Sequence, residues 1–162
     1  MGSGTRTTTA RVTARIVPAA AEHLAAISAI ERECFSDPWS AQAFRTLLDS
    51  EHGVFLVAID EDDRVVGYAA AIRVLDEGEI LNVAVGSKAR RRGVGALLLD
   101  SALDALRANE VGKVYLEVRE SNEAAQTLYR SRGFSPLSIR RGYYRRPVES
   151  ALILCLDLAA RN

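Results

Sequence analysis

Ile80-Leu-Asn-Val-Ala-Val85 runs without a break into Gly86-Ser-Lys-Ala-Arg90-Arg-Arg-Gly93-Val-Gly95-Ala96, and the fold follows from how this stretch is read. A short apolar, partly β-branched run has the pattern of a strand, and Leu97-Leu-Leu99 opens a helical pattern just beyond it. Between them stand three arginines and two glycines one residue apart. Glycine at 93 and 95 lets main-chain N–H groups turn inward with no Cβ in the way. The first helical turn adds unpaired N–H groups and a partial positive charge. A strand, an anion-binding turn and a helix of this kind can hold a pyrophosphate; the plainer alternative is a solvated basic turn ahead of a surface helix. Two nucleotide signatures are excluded. No G-x-x-x-x-G-K-[ST] run occurs, and a dinucleotide fingerprint would need glycine where Leu98 stands.

Working back from this stretch, Glu79 to Val85 is expected to pair antiparallel with Arg64 to Leu75 across a turn at Asp76-Glu-Gly78. That segment in turn forms a hairpin with Val54 to Ile59 across the acidic turn Asp60-Glu-Asp-Asp63. Arg15-Ile-Val17, closed by Pro18, reads as a first strand, and Ala19 to Phe35 as a helix with Leu24, Ile27, Ile30 and Cys34 near one face. Ser36-Asp-Pro-Trp39-Ser40 is a turn, with Ser40 suited to cap a second helix carrying Phe44, Leu47 and Leu48. Trp39 then sits in the joint between two helices, where it either closes the core or lines a groove at the end of the sheet.

Working forward, a long helix from Gly93 to Asn109 presents Val94, Leu97, Leu98, Leu99, Leu103 and Leu106 to the sheet and stops at Gly112. Val114-Tyr-Leu-Glu-Val-Arg119 is a strand of clean parity, with Val114, Leu116 and Val118 pointing one way and Tyr115, Glu117 and Arg119 the other. A helix from Asn122 to Arg132 ends at Gly133; Ile139 to Tyr144 and Ala151 to Leu158 are the last strands, joined across Arg145-Arg-Pro-Val148. The expected fold class is α/β: a mixed, mostly antiparallel sheet of about seven strands flanked by about four helices. The 80–85 and 114–119 strands form its central parallel pair across the long helix.

A length of 162 residues with 48% apolar content suits one domain with its own core, expected over 14–158, with residues 1–13 a disordered leader and 159–162 a tail. Twenty-one basic residues balance 21 acidic ones, so no global field draws nucleic acid or a membrane, and any electrostatic preference is local. Cys34 and Cys155 lack the spacing of a zinc site or a disulfide framework, and no metal is expected. Reduced thiols, a polar leader and the lack of a long apolar run lead to the expectation of a cytoplasmic protein without a membrane partner, monomeric or weakly dimeric.

Arg90-x-x-Gly93-x-Gly95, placed between a strand and a helix, resembles the Q/R-x-x-G-x-G/A pyrophosphate motif of the GNAT family of N-acetyltransferases. Leu116-Glu-Val-Arg119-x-Ser-Asn122-x-Ala-Ala125-x-x-Leu-Tyr129-x-x-x-Gly133-Phe134 resembles the second half of the same fold. More narrowly it resembles the ribosomal-protein-alanine N-acetyltransferases within that family. With Asp37-Pro-Trp-Ser40 and Arg140-Arg-x-Tyr-Tyr144, the resemblance spans residues 14 to 158. It implies acetyl-CoA as cosubstrate, its pyrophosphate held by Arg90, Arg91, Arg92, Gly93, Val94, Gly95 and Ala96. The pantetheine arm would lie against main-chain groups of Val83, Ala84 and Val85 and against Asn122. It also implies Glu117 as general base, acting through water, and Tyr129 as general acid. Trp39, Tyr143 and Tyr144 would line the groove for a peptide or protein N-terminus, and the acceptor it implies is the N-terminal α-amine of a ribosomal protein that begins with alanine.

Acyl transfer from a thioester to an amine needs a neutral amine, a route for its proton and an acid for the departing thiolate, and a carboxylate with a phenol suffices. Glu79 is the rival base, its parity with Leu81, Val83 and Val85 leaving that choice open. Arg140-Arg-Gly-Tyr-Tyr-Arg-Arg146 has the interleaving of an RNA-binding patch, but zero net charge favours the peptide groove. Gly142, Arg145 and Arg146 depart from the narrower signature, which leaves the peptide preference open. A lysine or small-amine acceptor is the alternative activity, and a CoA- or RNA-binding module without turnover the alternative class.

Overall fold

The computed structural model describes residues 13–159; the expected leader up to residue 12 and the tail beyond Ala159 lie outside the described residues. Seven strands follow the apolar alternation: β1 (Arg15–Pro18), β2 (Gly53–Ile59), β3 (Val65–Val74), β4 (Glu77–Val85), β5 (Lys113–Arg119), β6 (Ser135–Tyr144) and β7 (Glu149–Asp157). They form one sheet in the order β1-β2-β3-β4-β5-β7-β6. The helices are α1 (Leu24–Cys34), α2 (Ala41–Asp49), α3 (Val94–Ala108) and α4 (Glu123–Ser131). This is the mixed sheet expected from the sequence, with β4 and β5 its parallel pair across α3. No helix among the described residues is long and apolar enough to cross a membrane.

Strands β1 to β4 are covered on both faces. Leu98, Leu99, Ala102, Leu103 and Leu106 of α3 pack with Val114, Leu116, Val118 and Tyr129 on one side. On the other, Ile27, Ile30, Phe44 and Leu47 of α1 and α2 pack with Phe55, Val57 and Tyr68. Ser40 caps α2 by accepting from the Ala43 N–H at 3.1 Å, and Gly133 closes α4 with φ 95°, both as the sequence implies.

The parallel pairing is short. It runs only from Glu77↔Lys113 to Ile80↔Leu116, after which β4 leaves β5. The cause lies on the other edge of β4, where Ala71 pairs with Ile80 but Ala70 pairs with Asn82, so Leu81 is an extra, bulged residue. A bulge bends its strand and increases the local twist. Beyond it β4 has β3 on one side and an open edge on the other.

Several details differ from the sequence reading. The β3–β4 turn is at Leu75-Asp76, with Val74 opposite Glu77 and Leu75 at φ 57°, rather than at 76–78. Helix α3 stops at Asn109 and Glu110, the latter at φ 64°. Gly112 is instead a crossing point, its N–H donating to Asp76 and its carbonyl accepting from Leu158, each at 2.7 Å. Leu97 is 43% exposed and faces out of the core, one position off the buried stripe. Strand β6 begins at Ser135, four residues before Ile139, because pairing with β7 carries an exposed sequence into the sheet. The bulge also breaks the supposed parity of Glu79: Leu81 packs with the α1 and α2 layer while Val83 and Val85 pack with the α3 layer.

Candidate active site

Strand alternation sends Tyr115 and Glu117 to the face opposite Val114, Leu116 and Val118, and the parallel register brings Glu79 opposite Tyr115. Together with Ile72, Ile153 and Arg140 these residues line a cavity of about 290 Å³. Arg140 Nη1 lies 3.2 Å from Glu117 Oε1. The Tyr143 phenol donates to Glu117, and that bond is the first cause of its pKa being raised, ahead of burial. Burial, then the charge of Glu117, raises the Glu79 carboxyl above the usual carboxylate range, with Arg140 opposing.

The tyrosines form a chain from this carboxylate pair into the core. Tyr143 and Tyr144 meet edge to face at 5.1 Å, and the Arg119 guanidinium lies 4.3 Å over the Tyr144 ring. Tyr144 is pushed up to about 12 by burial and then by Glu117. Tyr129, 7% exposed and packed edge to face on Phe134 at 5.7 Å, is likewise pushed up to about 12 by burial and then by Tyr144. All four expected acid–base and groove residues on β5, α4 and β6 are therefore neighbours in one electrostatic cluster.

Two loops meet beside it. The Ser36 hydroxyl, ahead of α2, donates to the Arg146 carbonyl at 2.8 Å, and Arg119 donates to the Pro147 carbonyl at 3.2 Å. Trp39 is half-buried and tilted against Phe44 with ring centroids 5.5 Å apart. It closes the second core layer at the joint between α1 and α2.

The turn between β4 and α3 runs from strand to helix as expected, and its first arginine also contacts protein groups. Arg90 Nε donates to the Val85 carbonyl at 3.0 Å, its Nη2 approaches Cys34 Sγ at 3.2 Å, and Glu33 lies 4.0 Å away. Arg90 thus braces the turn, and the Val85 carbonyl is already engaged. Arg91, at φ 61°, and Arg92 are exposed. Gly93 starts α3 at φ 83° with no side-chain cap, and a Cβ built on it meets nothing within 4 Å. The N–H groups of Val94, Gly95 and Ala96 precede the first intrahelical bond, Leu97 to Gly93 at 3.1 Å. An uncapped helix start facing open space beside two exposed guanidinium groups fits a pyrophosphate. Asn122 is the N-cap of α4, accepting from the Ala125 N–H at 3.1 Å with ψ 74°. Its side-chain oxygen is thus engaged with the first turn of α4.

One polar cluster escaped the sequence reading. Glu31 is 1% exposed, and its carboxylate accepts from the Tyr68 hydroxyl, from the Trp39 N–H at 3.0 Å and from Asn82 Nδ2 at 3.3 Å to each oxygen. Its position was legible as a charge on the stripe of Leu24, Ile27 and Cys34, where the helical period calls for an apolar residue.

The acetyltransferase (GNAT) family model matches residues 24–134, most of the chain. The chain belongs to the GNAT family of acetyltransferases. That family transfers acetyl groups from acetyl-CoA, and this chain is an N-acetyltransferase. It is 37% identical over 133 residues to the [Ribosomal protein bS18]-alanine N-acetyltransferase of Salmonella typhimurium, which covers 80% of this chain and 88% of that one. Identity with the Escherichia coli K12 protein of the same name is 34% over 134 residues, covering 80% and 88%. The crystal structure of the ribosomal-protein-S18-alanine N-acetyltransferase from Escherichia coli superposes with a TM-score of 0.83 at 33% identity, covering 90% of this chain and 94% of that one. Ard1 from Thermoplasma volcanium also gives 0.83, at 25% identity, covering 90% and 98%.

Proposed function

We propose that this chain transfers the acetyl group of acetyl-CoA to the N-terminal α-amine of a ribosomal protein of the bS18 kind whose first residue is alanine. Support for the acceptor comes from the bS18-alanine N-acetyltransferases, which share 34–37% identity over 80% of this chain. The observation that carries the chemistry is the Glu117 carboxylate lining a cavity with Arg140 at 3.2 Å, beside the hairpin of Tyr143 and Tyr144, with the buried phenol of Tyr129 as the acid.

Glu117 receives the proton of the attacking amine through a water, and Tyr143 and Arg140 hold its carboxylate in place. As the N–C bond forms and the C–S bond breaks, Tyr129 gives its proton to the departing sulfur. A phenol of such high pKa is fully protonated at neutral pH, so the acid is always loaded. The exposed Arg91 and Arg92 and the N–H groups at Val94 to Ala96 hold the pyrophosphate, while Arg90 holds the turn in shape. The open edge of β4 beyond Ile80 takes the pantetheine arm through main-chain groups of Val83 and Ala84. Tyr143 and Tyr144 flank the acceptor, with Trp39 closing the core behind the loop that meets their hairpin, and the arginine-rich hairpin end closes that groove rather than binding RNA. An acceptor of this kind places the reaction in the cytoplasm.

The test is to offer acetyl-CoA with peptides that begin with free alanine, and to locate the added acetyl group by mass spectrometry. Acetylation at the α-nitrogen, lost when that terminus is blocked although lysines remain, is the expected result. Preferential labelling of internal lysines would replace this reading with a lysine acetyltransferase.

A further inference from the structure

Burying a carboxylate without contact to solvent is costly unless every lone pair is satisfied, and an apolar residue would usually serve stability as well or better. Glu31 is such a carboxylate, and its three donors come from three separate parts of the chain. Tyr68 belongs to β3. Asn82 follows the bulged Leu81 of β4, at the point where β4 parts from β5. Trp39 belongs to the loop between α1 and α2, whose Ser36 hydroxyl reaches the Arg146 carbonyl at 2.8 Å, just after Tyr143 and Tyr144.

We propose that Glu31 is a positioning residue for the acceptor: through the Trp39 N–H it fixes the Ser36 to Ser40 loop against the parting of β4 and β5, and through Ser36 it fixes the Tyr143–Tyr144 hairpin. This rests on the acetyl-transfer reading above. Of the three donors, those on β3 and β4 are held by strand pairing, whereas the Trp39 N–H is held by Glu31 alone. A glutamine in place of Glu31 accepts through only one oxygen and turns an amide N–H₂ towards donors. The loop, which no strand pairing holds, is the element whose backbone depends on this bond, its other ties being the Trp39 ring on Phe44 and the Ser36 hydroxyl on Arg146. Tyr68, Asn82 and Trp39, which hold this cluster, lie outside the Arg91 to Ala96 turn, so the larger effect is expected on the acceptor side.

The experiment measures steady-state kinetics with a free-alanine peptide for the parent, Glu31→Gln, Ser36→Ala and the double variant, with folding checked by circular dichroism. Expected for Glu31→Gln is an acceptor KM raised about tenfold, the size of one lost charge-assisted bond, with kcat and the acetyl-CoA KM within about threefold. Ser36→Ala, an exposed change, raises acceptor KM by about threefold, and the double variant shows less than the product because both act through one loop. A parent that does not acetylate the peptide would overturn the proposed function. An active parent whose Glu31→Gln variant keeps its acceptor KM, or raises both KM values equally, would overturn the positioning role. If Glu31→Gln does not fold, Ser36→Ala decides: a selective rise in acceptor KM supports the role and an unchanged KM overturns it.

Discussion

Arg140 on β6 reaches Glu117 on β5 at 3.2 Å, although β7 lies between those two strands in the sheet. The ion pair therefore crosses the face of β7 and brings a permanent positive charge to the mouth of the cavity that Glu79 and Glu117 line. Only the neutral amine carries the lone pair that attacks a thioester, so the acceptor must lose its proton before the N–C bond forms.

From this follows a rate profile for the parent enzyme in which kcat/KM rises through about pH 7.7 to 8.0, the ordinary range of an α-amine. Glu117→Gln is expected to lose rate most at lower pH, where the amine is mostly protonated, and to recover partly above about pH 8. Glu79→Gln should cost less than about tenfold at any pH. Rates from pH 6 to 9 for the three proteins check this, and the opposite ranking would move the base role to Glu79.

Tyr129→Phe keeps the ring packed on Phe134 and removes only the hydroxyl. Turnover should fall by about 10² to 10⁴ with little change in acetyl-CoA affinity. Because the parent phenol is pushed up to about 12, deprotonation of the acid does not depress the parent rate below pH 10. Single-turnover measurements with the variant, and a parent profile carried to pH 10, are the checks.

The two glycines of the turn should respond differently. Gly93→Val puts a branched side chain at φ 83° and into the open space proposed for phosphate, and calorimetry should show CoA binding lost in a folded protein. At Gly95 an added Cβ would meet Leu128 at 3.6 Å and Val85 at 3.7 Å, which is ordinary contact. Gly95→Ala is therefore expected to bind CoA within about threefold of the parent.

Glu31 should leave a mark on stability. Burial raises its pKa in the folded protein, so the folded state binds this proton more tightly than the unfolded chain. The resulting stability is fully present below the unfolded value of about 4.3 and is lost as pH rises through the higher folded value. Urea midpoints of the parent and Glu31→Gln, compared from pH 4 upwards, should show their difference shifting against the parent as pH rises. A pH-independent difference would mean that Glu31 keeps its ordinary proton affinity.

The elements were legible in the sequence because their causes are local. Alternation made Val114 to Arg119 a strand with Glu117 on its polar face, Ser40 marked a helix start through its hydroxyl and Gly133 a helix end through its positive φ, and the glycines beside arginines marked the turn between β4 and α3. Only the tertiary structure decided how those elements use their side chains. Arg90 stands in the phosphate motif by sequence, and its contacts with Val85 and Cys34 arise only once β4 and α1 pack. Asn122 stands at the expected start of a helix, and folding makes it the N-cap, its side chain accepting from the Ala125 N–H. The bulge at Leu81 depends on the register of β3, the insertion of β7 between β5 and β6 on a hairpin folding back, and the burial of Glu31 on donors from Tyr68, Trp39 and Asn82. Each is a relation between residues far apart in the chain, whose energy exists only once both partners are in place, and so no local pattern carries it.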